Sequence, residues 1–181
     1  GSSDRRRPPL IMGHEASGVV EETGPLAKGF KPGDRVTFNS TEFCGKCGNC
    51  ASGKQNICVD GQIFGVSSEV YHKEGAMAEY LTVPDYSVYK IPENITFEEA
   101  ALAEPLSIAL HAINRTDIKL GDIAVVFGAG TIGSMLIKLL SISNCVSVIV
   151  VDIDDVKLGL AKKRGASYCI NSAKEDVVKR I

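Results

Sequence analysis

The sequence predicts an α/β plus β chain in two parts: a β-rich first region, then an alternating region that forms the first half of a doubly wound parallel sheet. Three observations predict it. Residues 123–127 form a continuous apolar run that leads without a gap into Gly128-Ala129-Gly130-Thr131-Ile132-Gly133. An apolar segment of helical character follows, and then a second apolar run that ends on Asp152. Residues 16–91 instead carry short apolar runs broken by Gly, Pro and Asp turns, the pattern of a small barrel or a pair of sheets. Four of the six cysteines fall between Cys44 and Cys58, in a stretch of Gly, Asn and Lys with no periodicity, a loop that needs a staple.

In chain order, residues 4–12 read as extended and broken by proline. Residues 16–22 read as a strand closed by Gly24-Pro25, and 35–38 as a second strand after the turn Lys31-Pro32-Gly33-Asp34. Residues 75–83 and 86–91 read as further strands around Pro84-Asp85. Thr96 with Glu99 three residues later is a capping box and predicts a helix start. Glu104-Pro105 breaks that helix, and 106–114 forms the next, with Pro105 suited to its first turn. From residue 121 strand and helix alternate. Asp154 caps a helix with Val156, Leu160 and Ala161 expected inward, and Lys157, Lys162 and Lys163 outward. Gly165 ends it, 167–171 is a third strand, and a last helix is expected near Ala173. The division expected is 1–104 and 105–181.

Each part of the glycine stretch has a physical job. Gly128 permits a tight turn, Gly130 lets the backbone approach a pyrophosphate, and Gly133 lets the helix lie close to the strand. Thr131 and Ile132 open that helix, whose first amide groups lack intrahelical acceptors and suit phosphate. Asp152 can accept from a ribose 2′-hydroxyl. The alternative is a Gly-rich turn in an ordinary βαβ unit. A doubly wound domain has two halves, and only one is legible here. The strand at 123–127 is therefore expected to show an apolar edge, and the sequence reads as truncated at both ends.

The chain of 181 residues has 44% hydrophobic and 23% charged residues and a net charge of −2, an ordinary globular composition. The densest cationic cluster, Arg5-Arg6-Arg7, is short, so charge implies neither nucleic acid nor a membrane surface. No bilayer-spanning run and no secretory leader are expected. Clustered cysteines beside a nucleotide fold point to the reducing cytoplasm rather than to disulfides, with Cys145 and Cys169 as small core residues.

Cys44-x2-Cys47-x2-Cys50-x7-Cys58 places four soft ligands in one loop, the donor set of a closed structural zinc site, with an iron–sulfur cluster as the lesser alternative. His14-Glu15 and Glu104 are ambiguous singly. The histidine also reads as a structural hydrogen bonder and Glu104 as a helix-start carboxylate. What raises both is company, an acid and an imidazole in separate segments flanking the nucleotide region, and an open zinc site needs three protein ligands plus a water or substrate oxygen. His72 reads as exposed and His111 as structural.

Gly13-His14-Glu15-Ala-Ser-Gly18, Gly33-Asp34-Arg35-Val36, the cysteine lobe, Ala78-Glu79-Tyr80, Glu104-Pro105-Leu106 and the glycine stretch stand in the order found in zinc-dependent medium-chain alcohol dehydrogenases. Glutamate at 104 resembles the polyol branch, which includes sorbitol, galactitol-phosphate, threonine and butanediol dehydrogenases. The resemblance implies a partial GroES-like β-barrel catalytic domain followed by part of a Rossmann domain. It also implies catalytic zinc at His14 and Glu15, with Glu104 either a third ligand or reaching the metal through water, structural zinc at Cys44, Cys47, Cys50 and Cys58, and NAD with Asp152 and Lys157 beside its ribose. NAD is expected over NADP because an acid at 152 repels a 2′-phosphate. The family's first zinc ligand, a cysteine upstream of Gly-His-Glu, has no counterpart here. The activity implied is hydride transfer between NAD and a secondary alcohol, a small-molecule polyol or sugar alcohol, in a homodimer or homotetramer. A zinc-free quinone or enoyl reductase and a non-catalytic nucleotide- and zinc-binding fragment are the rival readings.

Overall fold

The computed structural model describes residues 6–181. The readings on residues 1–5, including the start of the extended segment and of the arginine cluster, lie outside the described residues. The chain divides into two compact units, one ending at Glu104 and the other beginning at Pro105.

The first unit is built on short strands. β1 (Ser17–Val19) and β7 (Val88–Lys90) flank β2 (Arg35–Phe38) in an antiparallel sheet, with Ser17 opposite Thr37 and Val36 opposite Lys90. β3 (Thr41–Glu42) pairs with β4 (Gln62–Ile63), and β5 (Val66–Ser67) with β6 (His72–Lys73). Between these two ladders Phe64 is fully buried, edge-on to Phe38 with ring centroids 5.2 Å apart. Lys73 lies over its ring and reaches Glu42 at 2.7 Å. Among the described residues unit 1 is thus one three-stranded sheet and two short ladders, with an isolated parallel bridge from Arg6 to Ser67. The strand expected over 75–83 does not form. The backbone there turns away at residues 76–79 and spends its donors on another segment, with Gly75, Ala76 and Met77 donating to the carbonyls of Ile11, Gly13 and Met12. Of the strand expected over 86–91, only β7 joins the sheet, after a 3-10 turn at Asp85–Ser87.

Between β3 and β4 runs the cysteine lobe, with its single-turn helix α1 (Gly48–Ala51). Helix α2 (Phe97–Ala101) starts where the capping box places it. Thr96 Oγ1 accepts from Glu99 N, and Glu99 Oε2 accepts from Thr96 N. Its first turn is tied to the sheet, since Ser17 Oγ donates to the Phe97 carbonyl and the Arg35 guanidinium stacks 4.6 Å over the Phe97 ring. The break then comes at Leu102, earlier than Glu104-Pro105. Helix α3 (Ala103–Asn114) takes Glu104 and buried Pro105 into its first turn, where a proline lacks no intrahelical bond.

The second unit is a parallel sheet in the order β10-β9-β8, formed by β8 (Ile123–Phe127), β9 (Ser147–Asp152) and β10 (Tyr168–Asn171). Helices α4 (Thr131–Ser141) and α5 (Asp155–Lys163) cover one face and build the core with Val126, Ile137, Leu140, Val148, Val150, Leu158 and Ala161. The inward residues of α5 are Leu158 and Ala161. Val156 and Leu160, expected inward, are 74% and 42% exposed, because one helical face can meet the sheet and Leu158 sets its phase. On the other face of the sheet Ile149, Val151 and Ile170 are buried, with Val177 against them. Ile123 and Phe127 of β8, the edge strand among the described residues, are 60% and 72% exposed. The last helix, α6 (Val177–Arg180), starts later than Ala173 because the Asn171 carbonyl and side chain hold residues 173–175 in a turn, and Asp176 provides the cap. No helix among the described residues is long and apolar enough to cross a membrane.

Candidate functional site

The cysteine lobe folds around its own sulfurs. Cys44 N donates to Cys58 Sγ (3.3 Å), Cys47 N to Cys44 Sγ (3.4 Å) and Cys50 N to Cys47 Sγ (3.5 Å), so the backbone already aims amide dipoles at the thiols. All four sulfurs lie within 4.8 Å of one another and none is in a disulfide. Cys47 and Cys58 are 3.9 Å apart. Four thiolates about 2.3 Å from a shared zinc stand about 3.8 Å apart at a tetrahedral edge, so the donors fit that ion. Amide donation, first from Cys50 and then from Val59, pulls the Cys47 thiol down to about 6. Burial, with the neighbouring Cys47 and Cys58 thiols, pushes Cys50 up to about 12.

A second cluster is assembled from distant segments. His14, Glu15 and Glu104 bring their ligand atoms within 4.8 Å of one another. His14 and Glu15 leave the end of the 11–13 segment that residues 75–77 clamp. Gly13 has φ +97°, and a side chain there would strike the Met77 side chain at 2.9 Å. A Cβ at Gly65 would come within 2.6 Å of the Gly13 nitrogen, so this backbone crossing tolerates only glycine. Glu104 arrives on the first turn of α3, and Ser40 Oγ donates to its Oε1 at 3.0 Å. One imidazole and two carboxylates suit a zinc ion that keeps an open position, with modest side-chain adjustment to reach about 2.0–2.2 Å. His72 stands apart from both clusters. Its ring bonds Ser67 Oγ and Glu74 Oε1, while Glu74 Oε2 accepts from Ile11 N.

The glycine stretch leaves β8 through Gly128 (φ +93°), whose N–H donates to the Val151 carbonyl. Gly130 is the N-cap of α4 with no side-chain cap, so the first-turn amides at Thr131, Ile132 and Gly133 face outward without intrahelical acceptors. A Cβ on Gly133 would collide with the Gly128 carbonyl, which is why the helix can lie so close to the strand. Asp152 ends β9 beside this turn. Its Oδ2 accepts from Ala129 N at 2.7 Å, and its Oδ1 from Ile153 N and Asp154 N. These amides, Ala129 first, and the charge of Lys157 hold the Asp152 carboxyl below its ordinary value. The carboxylate therefore shapes the turn as well as facing it, a role that a count of glycines does not reveal. Ser40 was also invisible in the sequence. It lies far from Glu104 along the chain and carries no motif.

Two family models match the chain. One, described as the alcohol dehydrogenase GroES-like domain, covers residues 1–93, and the other, zinc-binding dehydrogenase, covers residues 131–181. L-threonine 3-dehydrogenase of Pyrococcus furiosus is 41% identical over 98% of the chain and 49% of its own length. A putative zinc-binding dehydrogenase of Sinorhizobium meliloti, solved with NADP, superposes with a TM-score of 0.90 at 31% identity, covering 97% of this chain and 50% of that one. Galactitol-1-phosphate dehydrogenase of Escherichia coli gives 0.87 at 29% identity, covering 96% and 49%. The chain thus spans about half the length of the curated relatives it matches. Zinc and NAD are the cofactors expected from these likenesses. On this evidence the chain belongs to the zinc-dependent medium-chain alcohol dehydrogenase family, in its polyol branch.

Proposed function

We propose that the protein is a zinc-dependent oxidoreductase that transfers a hydride between NAD and a secondary alcohol, with a polyol or sugar alcohol as the substrate class. The observation that carries this reading is the convergence of His14, Glu15 and Glu104 in a chain that also holds an outward-facing glycine turn with an acid beside it. In this reading His14, Glu15 and Glu104 hold a catalytic zinc, which when bound supplies Lewis-acid polarisation of the alcohol oxygen. The lobe thiols hold a structural zinc. The α4 amides bind pyrophosphate, and Gly128, Gly130 and Gly133 give the backbone room to reach it. Asp152 accepts from the ribose 2′-hydroxyl, and Lys157 lies beside it. Asp152 has a depressed pKa and is ionised at neutral pH, so it repels a 2′-phosphate and favours NAD over NADP. A homo-oligomer and a cytoplasmic location belong to the same reading.

A second reading is nucleotide and zinc binding without turnover, for which the glycine turn and the cysteine lobe suffice. The test is zinc per chain by elemental analysis, joined to calorimetric titration with NAD and to turnover on a panel of polyols. About two zinc ions, NAD binding and chelator-sensitive turnover support the dehydrogenase. One zinc and NAD binding without turnover support the second reading.

A further inference from the structure

Ser40 lies in the connection between β2 and β3 and is only 4% exposed. Its backbone is fixed on both sides. Asn39 N donates to the Ser87 carbonyl at 2.8 Å, the Ser40 carbonyl accepts from Phe64 N at 3.0 Å, and Thr41 N donates to Asn39 Oδ1 at 3.0 Å. Phe64 itself is fully buried. A hydroxyl on such a rigid base has few places to point. It points at Glu104 Oε1, 64 residues along the chain. Glu104 is the one member of the three-residue cluster that does not come from the His14-Glu15 segment, so its carboxylate must be oriented separately.

We infer that Ser40 is a positioning residue for metal binding at His14, Glu15 and Glu104: its hydroxyl, held by the β2–β3 connection, fixes which way the Glu104 carboxylate faces. The inference rests on the proposed assignment of this cluster as a metal centre. The physical reason is that of any partner behind a metal ligand. A carboxylate on a flexible stem loses rotational freedom when it binds an ion, and a hydrogen bond already made removes part of that cost. Loss of such a partner lowers affinity by about 10- to 100-fold. Ser40 is only 4% exposed, so bulk water has little access to its hydroxyl. Ser40 does not touch the ion in this account. It acts only through Glu104.

The experiment uses the 181-residue chain with one equivalent of zinc loaded into the cysteine lobe, titrated with Co²⁺ and followed by the visible bands of the bound ion. Zinc retained in the lobe and the far-ultraviolet circular dichroism report that each variant is folded. Ser40→Ala is expected to weaken Co²⁺ binding about 10-fold and to change the band shape, with lobe zinc unchanged. In a Glu104→Ala background, Ser40→Ala is expected to add nothing, because the group through which it acts is gone. The inference is overturned if Ser40→Ala binds Co²⁺ as tightly as the parent chain, or if it weakens binding equally with and without Glu104. A parent chain that takes up no Co²⁺ beyond the lobe, or whose uptake ignores His14→Ala, overturns the assignment of the centre and the inference with it. Both results are distinct from a failure of Ser40 alone.

Discussion

The two clusters of candidate ligands were built in opposite ways. The cysteine lobe draws all four donors from one loop of the chain, and its amides already point at its sulfurs. The His14, Glu15 and Glu104 cluster joins two segments separated by most of unit 1, and it involves a glycine crossing, the first turn of α3 and a hydrogen bond from a buried serine. A local site needs only its loop and its ion, so the ion itself supplies the order that the loop lacks. An assembled site needs the fold first, and the ion adds to an arrangement already made. The two should therefore fail in different ways.

The largest effect is expected in the lobe. Cys50→Ser, or removal of metal by a strong chelator under reducing conditions, should cost several kcal/mol of local stability, since structural zinc in small loops contributes on the order of 10 kcal/mol of apparent binding energy. Hydrogen exchange should show residues 44–58 losing protection while β2 and β7 keep theirs. Loss of protection across the whole of unit 1 would mean that the lobe is not an independent element.

The converse substitution is Glu104→Ala. It should weaken uptake of the second ion by more than about 100-fold, beyond the range for an outer partner but still measurable by Co²⁺ titration, and leave the lobe ion in place. Metal analysis after gel filtration reads both at once. Equal loss from both clusters would erase the distinction between them.

Asp152→Asn serves as the control in the second unit. It should lower NAD affinity by about 10-fold, the scale of one charge-assisted hydrogen bond, while neither metal site changes. The same residue sets an acid limit. Its folded pKa lies below the ordinary 3.8, so its contribution to stability is full above that value and is lost as pH falls through the folded pKa. Urea midpoints measured below about pH 5 should therefore fall less steeply for Asp152→Asn than for the parent chain. Parallel curves would show that the amide bonds to Asp152 do not persist in solution.

The smallest effect expected is at Thr96. Thr96→Ala removes the cap of α2 and should cost about 1 kcal/mol by denaturant unfolding. Because α2 precedes the helix that carries Glu104, the assembled cluster should also weaken slightly, whereas the lobe should not respond.

The sequence by itself determined the order of elements in the second unit and the fold class. An apolar run, a glycine turn and a terminal acid are local signals. Each constrains its own few residues, and β9, buried on both faces between β8 and β10, reads as one continuous apolar run. It also grouped the four cysteines, because their spacing leaves the loop no other core. The capping box fixed the start of α2 for the same reason, being a bond between residues three apart. Tertiary structure decided what depends on partners far along the chain. Residues 75–77 have the alternation of a strand, but their donors go to 11–13. Val156 looks as apolar as Leu158, but only one phase of α5 meets the sheet. Ser40 meets Glu104 only because the β2–β3 connection reaches a residue in the first turn of α3. Such contacts leave no local trace, since the free energy that selects them comes from burying distant groups against each other rather than from the preference of any short segment.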